Sequence, residues 1–147
     1  SVQEFMSLER CGNAEHSHAN ITKVLKDVGL KKINNQKLGT LSGGQFQRVM
    51  IARALLHKKE ILIFDEPSTG IDIKGEETIY DLIVAINKKY GTTCLIVSHE
   101  LNVVSKYAKH VICLNKKMIC HGSPEIVITP EVLKKLYGLG AGLYHSH

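Results

Sequence analysis

Four large apolar residues in unbroken succession, Ile61-Leu62-Ile63-Phe64, run directly into Asp65-Glu66-Pro67. A run so short and so apolar suits a strand covered on both faces, as strands of parallel sheets are. The same pattern returns at Thr93-Cys94-Leu95-Ile96-Val97, which ends in Ser98-His99. Between the two, Glu76 to Lys89 spaces Ile79, Leu82, Ile83 and Ile86 as one face of a helix. Strand, helix and strand in that order predict an α/β layer structure with a mostly parallel sheet. Ligands of such sheets gather at the C-terminal strand ends, which puts Asp65, Glu66 and His99 on one rim.

The flanking elements follow from the same reading. Ile21, Val24, Leu25 and Val28 mark an amphipathic helix that Gly29 can cap. Lys31 to Thr40 reads as a polar loop. A second helix is predicted from Gly43 to about His57, with Ser42 as N-cap and Gln45 completing a capping box. Its apolar side is expected to carry Phe46, Val49, Met50, Ala54 and Leu55. Leu101 to Tyr107 predicts a short helix, and 110–114 with 117–121 a hairpin around Asn115-Lys116. Val127 to Tyr137 reads as one last helix with Pro130 in its first turn. Gly138 to His147 is a Gly-rich tail, and no internal repeat is present.

Composition narrows the function classes. The 147 residues are 44% hydrophobic and 22% charged, ordinary for a globular domain. No apolar run approaches the roughly 20 residues needed to span a bilayer. Ser1 to Arg10 lacks the form of a signal peptide, and a start at Ser1 rather than Met suits a fragment or a processed product. The net charge of +5 comes from scattered lysine pairs such as Lys31-Lys32 and Lys134-Lys135. Scattered pairs are solvated faces, and few aromatics alternate with them, so a nucleic-acid surface is not expected. Cys11, Cys94, Cys113 and Cys120 show no CxxC spacing; Cys94 and Cys113 read as small core residues in a reducing compartment, without disulfides.

Leu41-Ser42-Gly43-Gly44-Gln45, followed by Gln47-Arg48 and Ala52-Arg53-Ala54-Leu55, resembles the signature motif of ATP-binding-cassette (ABC) ATPases. Asp65-Glu66-Pro67 is similar to their Walker B element, Ser68 to Asp72 to their D-loop, and His99 to their switch histidine. Four elements in order are far more specific than one pentapeptide. The resemblance covers nearly the whole chain and implies a P-loop NTPase-like fold with part of the helical signature subdomain.

Each motif also has its own chemistry. Glycines opening a helix let backbone N–H groups and the helix dipole meet an anion, although Ser-Gly-Gly can equally be a turn and a cap. Asp65 suits Mg²⁺, and Glu66 can deprotonate an attacking water; the bland alternative is solvated acids ending a strand. Two acids directly after a buried strand favour the functional reading. His99 can hydrogen-bond a γ-phosphate. By resemblance, Leu41, Ser42, Gly43, Gly44, Gln45 and Asp72 are nucleotide-binding residues, Glu66 and His99 catalytic ones. Ile71 stands where many members have leucine before the aspartate.

No G-x-x-x-x-G-K-[ST] phosphate loop occurs in these residues. The family carries it in the N-terminal half, so the resemblance implies that this half is absent and that the chain begins after the glutamine loop. The expected divisions are a signature-bearing helical piece (1–57), a catalytic α/β core (58–126) and a C-terminal helix and tail (127–147).

Val97-Ser98-His99-Glu100-Leu101-Asn102-Val103-Val104, the Val111 to Asn115 stretch, His121-Gly122-Ser123-Pro124-Glu125 and the terminal Tyr144-His145-Ser146-His147 are similar to zinc and manganese importer ATPases, zinc especially. That resemblance implies an ATP- and Mg²⁺-dependent motor on the cytoplasmic membrane face. Its partners would be an integral-membrane permease, a second ATPase subunit arranged head to tail and a solute-binding protein, with no nucleic acid. The permease would meet the helical stretch ahead of Leu41, Glu4 to Arg10 and Ile21 to Leu30. A soluble, non-transport cassette ATPase and an inactive remnant are the alternatives. Zn²⁺ binding by His145 and His147 is the minor reading of a thin ligand pair.

Overall fold

The computed structural model describes residues 1–8, 17–71 and 73–138. Cys11, Asp72, the Glu9-Arg10 end of the expected permease-facing stretch, and the tail with His145 and His147 lie outside them. The chain divides into two compact units, Ser1–Val97 and Ser98–His147.

In the first unit, helix α1 (Val2–Ser7) is started by Ser1, whose hydroxyl accepts from the Glu4 N–H. Its first turn is tied to a distant loop: Val2 N donates to Gln36 O and Gln3 N to Asn34 O, both at 2.9 Å. These bonds satisfy donors that a helix start leaves orphaned. Helix α2 (His18–Asp27) buries Ile21, Val24 and Leu25, as its spacing predicts, and Ser17 caps it. Gly29 follows with φ +78°, the left-handed stop that a glycine adopts without strain. The Arg48 side chain reaches back to donate to Val28 O at 2.8 Å, so an orphan carbonyl of α2 gains a cationic partner.

Helix α3 (Gly43–Leu55) packs on α2 and carries the expected capping box. Its buried residues are Val49, Ile51, Ala52 and Leu55, whereas Phe46 and Met50 are exposed. Phe46 and Met50, four apart, form a separate stripe that turns away from the one on Val49 and Ala52. The expected broad apolar side is therefore narrower and differently centred.

Strand β1 (Ile61–Asp65) pairs in parallel with β2 (Thr93–Val97), Ile63 opposite Leu95 and Asp65 opposite Val97. The 18-residue helix α4 (Ile73–Tyr90) makes the crossover. Ile79, Tyr80, Leu82, Ile83 and Ile86 are buried. Burial on β1 alternates, with Leu62 and Phe64 inside and Ile61 and Ile63 exposed. The expectation of strands covered on both faces is thus corrected among the described residues: one face of the pair is bare, because only one side of it has helices.

The C-terminal end of α4 is clamped to α2. Lys89 Nζ lies 2.6 Å from Asp27 Oδ1, and the Tyr90 hydroxyl donates to Asp27 Oδ2. Burial pushes the Asp27 carboxyl up, but the hydrogen bonds from Lys89 and Tyr90 and the charges of Lys89 and Lys23 outweigh it and hold it below its usual value. Burial and the bond to Asp27 push the Tyr90 phenol up to about 12.

The second unit holds α5 (Leu101–Tyr107), the antiparallel hairpin of β3 (Val111–Asn115) and β4 (Lys117–Gly122), α6 (Pro124–Val127) and α7 (Pro130–Tyr137). Lys116 takes φ +56° at the hairpin turn. The single C-terminal helix expected from Val127 is in fact two. Pro130 opens α7, and Thr129 caps it by accepting from Val132 N; a proline at the first helical position begins a helix rather than continuing one. Hairpin register sets Cys113 opposite Cys120, Cα atoms 5.0 Å apart, with their sulfurs bonded. This corrects the reading of Cys113 as a thiol, since spacing along the chain does not reveal a cross-strand neighbour.

Three outcomes follow. Removing the Asp27 carboxyl (Asp27→Asn) costs about 1–2 kcal/mol in a denaturant titration at pH 7, the lower part because Lys89 is half exposed. The clamp's carboxylate contribution is present above the ordinary Asp pKa and fades as pH falls through the depressed folded value. The Tyr90 contribution is complete below pH 10 and fades as pH rises toward 12, so a Tyr90→Phe variant shows a flatter alkaline limb. Peptide mapping without reductant yields a linked Cys113–Cys120 fragment.

Candidate functional site

The first unit brings two of the expected groups into well-defined settings. The first is the start of α3. Ser42 Oγ accepts from Gln45 N at 3.2 Å, and Gln45 Oε1 accepts from Ser42 N at 2.9 Å. The box holds Ser42 in extended backbone, so the helix begins abruptly at Gly43. By helix geometry the first-turn N–H groups of Gly43 and Gly44 point out beyond the N-terminus, where the dipole adds partial positive charge.

That terminus faces a cleft of about 490 Å³ lined by Ser42, Gly43, Gly44, Arg48, Gly70 and Ile71 among others. A Cβ on Gly43 would meet Gly70 O at 3.1 Å, whereas one on Gly44 would meet only Ile71 Cγ2 at 3.9 Å. The first glycine is thus required by close backbone approach, and the second leaves the donors accessible. Donors and dipole together suit an anion such as a phosphate. Arg48 and Gly70 join the site only in three dimensions. Their sequence signal was their place just after the signature motif and inside the D-loop stretch.

The second setting is the end of β1. Asp65 is exposed, and Glu66 is half buried with φ +45°. A non-glycine residue at that φ costs about 1–2 kcal/mol, and such outliers cluster where a side chain must be aimed. The conformation is held by pairing: Glu66 N donates to Val97 O at 3.0 Å, and Glu66 O accepts from Thr69 N at 3.1 Å. Buried Pro67 and Ser68 anchor the turn, Ser68 sharing a 3.1 Å hydrogen bond with the buried Tyr80 hydroxyl. Ladder and turn bonds therefore fix Asp65 at the last position of β1 and Glu66 at the start of the turn that follows it. A single accessible carboxylate fits Mg²⁺, which keeps several waters and leans on few protein oxygens.

His99 belongs to the second unit, just ahead of α5, where its carbonyl accepts from the Tyr137 hydroxyl at 3.4 Å. Ser98 Oγ accepts from Glu100 N at 3.1 Å, and Glu100 is the N-cap of α5. Leu41 precedes the α3 cap in extended backbone.

Comparison with known proteins shows what these features are similar to. The family profile described as "ABC transporter" matches residues 1–69. The zinc import ATP-binding protein ZnuC of Cereibacter sphaeroides is 40% identical over 140 residues, 95% of this chain and 56% of that protein. The ZnuC of Buchnera aphidicola is 38% identical over 139 residues, 95% of this chain and 57% of that protein. The chain spans about half the length of the curated relatives it matches. Among solved structures, an ABC transporter in an inward-facing conformation superposes on 93% of this chain and 58% of its own, with TM-score 0.83 and 23% identity. CbiO1 of Clostridium perfringens, part of the transporter complex CbiONQ, does so over 92% and 54%, with TM-score 0.75 and 29% identity. The fold is that of an ABC ATPase domain, of which this chain spans a part.

Substitution separates the two glycines. Gly43→Ala forces Gly70 to move and lowers the thermal midpoint by a few degrees. Gly44→Ala is neutral or stabilising by up to about 1 kcal/mol, since alanine favours a helix. Circular-dichroism melts of the two variants check the ranking.

Proposed function

We propose that this chain, a homologue of the ATP-binding subunits of ABC transporters, carries the signature-motif and Walker B part of an ATP-hydrolysing motor for metal-ion import, with zinc the preferred ion. The observation that carries the reading is one compact unit holding both a glycine-opened helix start on a cleft and an acid pair at a strand end. The zinc reading rests on relatives whose names state zinc import.

The roles follow from chemistry. Glu66 accepts a proton from a water as its oxygen bonds to the γ-phosphorus and the bond to the β,γ-bridging oxygen breaks, releasing ADP and phosphate. Asp65 would hold Mg²⁺, which neutralises charge on the triphosphate when bound. His99 donates a hydrogen bond to a γ-phosphate oxygen, stabilising charge that grows in the transition state. Ser42, Gly43, Gly44 and Gln45, set by Leu41, serve a triphosphate held by a second ATPase subunit, and Asp72 lies at that interface. Closure on ATP and reopening after hydrolysis would drive an integral-membrane permease supplied by a solute-binding protein. The site of action is the cytoplasmic membrane face, and no described helix is long and apolar enough to cross a membrane. Functional divisions at 1–57, 58–126 and 127–147 belong to this reading.

The 147 residues contain no lysine-bearing phosphate loop, so the purified chain hydrolyses ATP no faster than buffer. Vigorous Mg²⁺-dependent turnover that Glu66→Gln abolishes would overturn this division of labour. For transport, a chimera places this chain in the matching portion of the Cereibacter relative, in cells lacking their own zinc-import ATPase. Growth under zinc chelation is restored, and Glu66→Gln removes it while cutting ATPase at least 10²-fold. A chimera that hydrolyses ATP without restoring growth favours the soluble, non-transport alternative.

A further inference from the structure

Two imidazoles on the β3–β4 hairpin have no part in the catalytic reading. The rings of His110 and His121 have centroids 6.0 Å apart and planes inclined by 33°. Hairpin register explains why they meet. Ile112 stands opposite His121, and His110, two residues before Ile112, projects to the same side by the period of two. The two histidines are therefore diagonal cross-strand neighbours, a spacing that long and aromatic side chains bridge. Both are exposed, so neither is a histidine packed into a core.

That separation is one that a shared metal ion requires. A metal–nitrogen bond is about 2.1 Å and an imidazole nitrogen lies about 1.1 Å from its ring centre, so two rings on one ion have centroids roughly 5–6.5 Å apart. The observed 6.0 Å falls inside that range. The backbone beneath the pair is also fixed. Cys120, next to His121, is opposite Cys113, and their disulfide ties the two strands together. By the same alternation the sulfurs lie on the other side of the hairpin, where they hold the strands without occupying the imidazole side. The chain turns at Lys116, so the histidines stand at the open end, where a common ligand ties β4 to the entry of β3.

We propose that His110 and His121 form a two-imidazole site for a late first-row divalent transition-metal ion, Ni²⁺, Cu²⁺ or Zn²⁺, the class that imidazole ligands suit. One nitrogen comes from each side of the hairpin, and water fills the remaining positions. A structural zinc takes four protein ligands, so a site with two exchanges its ion. The bound ion fastens the open end of the hairpin. Hairpin geometry alone supports the site, whatever the chain's part in ATP hydrolysis or transport.

Ni²⁺ is the probe, because it binds imidazole well and does not oxidise the free Cys94 thiol. The 147-residue chain is titrated calorimetrically with its disulfide intact, and every sample carries His145→Gln and His147→Gln so that the terminus adds no ligand. One Ni²⁺ binds per chain. His110→Gln and His121→Gln each weaken that binding at least tenfold, while their metal-free melts stay within a few degrees of the parent. Ni²⁺ raises the melting midpoint only where both imidazoles are present, since an ion bound to the folded state alone stabilises it. Ile112→His placed in the His110→Gln chain restores binding, because residue 112 is directly opposite His121. Absence of Ni²⁺ binding, or binding that neither single substitution weakens, overturns the proposal and leaves the two rings in a packing contact only.

Discussion

The parallel pairing of β1 and β2 is the constraint on which the first unit depends. Two parallel strands cannot be joined by a tight turn, so the chain must travel the length of α4 to return. That return lays Ile79, Ile83 and Ile86 against one side of the sheet and brings Val97 level with Asp65. The ladder then extends one residue, to the Glu66 N–H, and this last bond holds Glu66 in its costly backbone. Position of the acids is therefore a consequence of strand register, not of local preference.

The rest of the unit stiffens that frame from its ends. Arg48 satisfies the end of α2, while Arg53 stacks over the Phe5 ring at 4.4 Å and fastens α1 to α3. Lys89 and Tyr90 join the far end of α4 to Asp27 on α2. Each contact satisfies a helix terminus or a half-buried charge, so the helices are held where polar groups demand it as well as by apolar packing. The glycine start of α3 thereby reaches the Gly70 loop at a fixed separation.

Much of this was legible in the residues. The signature helix, its capping box and its first residue follow from Ser42 and Gln45 alone, because a cap is satisfied within four residues. Both strands and the α4 stripe were legible because apolar period is a local property. The Asp65-Glu66 pair stood out because two acids directly after four aliphatic and aromatic residues have no bland place in a core. The helix α1 was less legible, its six residues being too few for a period. The break before Pro130 was hidden by apolar residues on both sides of it.

What the sequence alone determined is the inventory: strand, crossover helix, strand, a glycine-opened helix and acids at a strand end. Those features depend on neighbours a few residues apart. Only tertiary structure decided that Cys113 meets Cys120, that Phe46 and Met50 face out, and that Gly43 touches the Gly70 carbonyl. Structure also decided that, among the described residues, Ile61 and Ile63 of β1 are exposed while Leu62 and Phe64 are buried. A run of four apolar residues reports how hydrophobic a strand is, but which of its faces is covered depends on the layers that the rest of the fold stacks upon it.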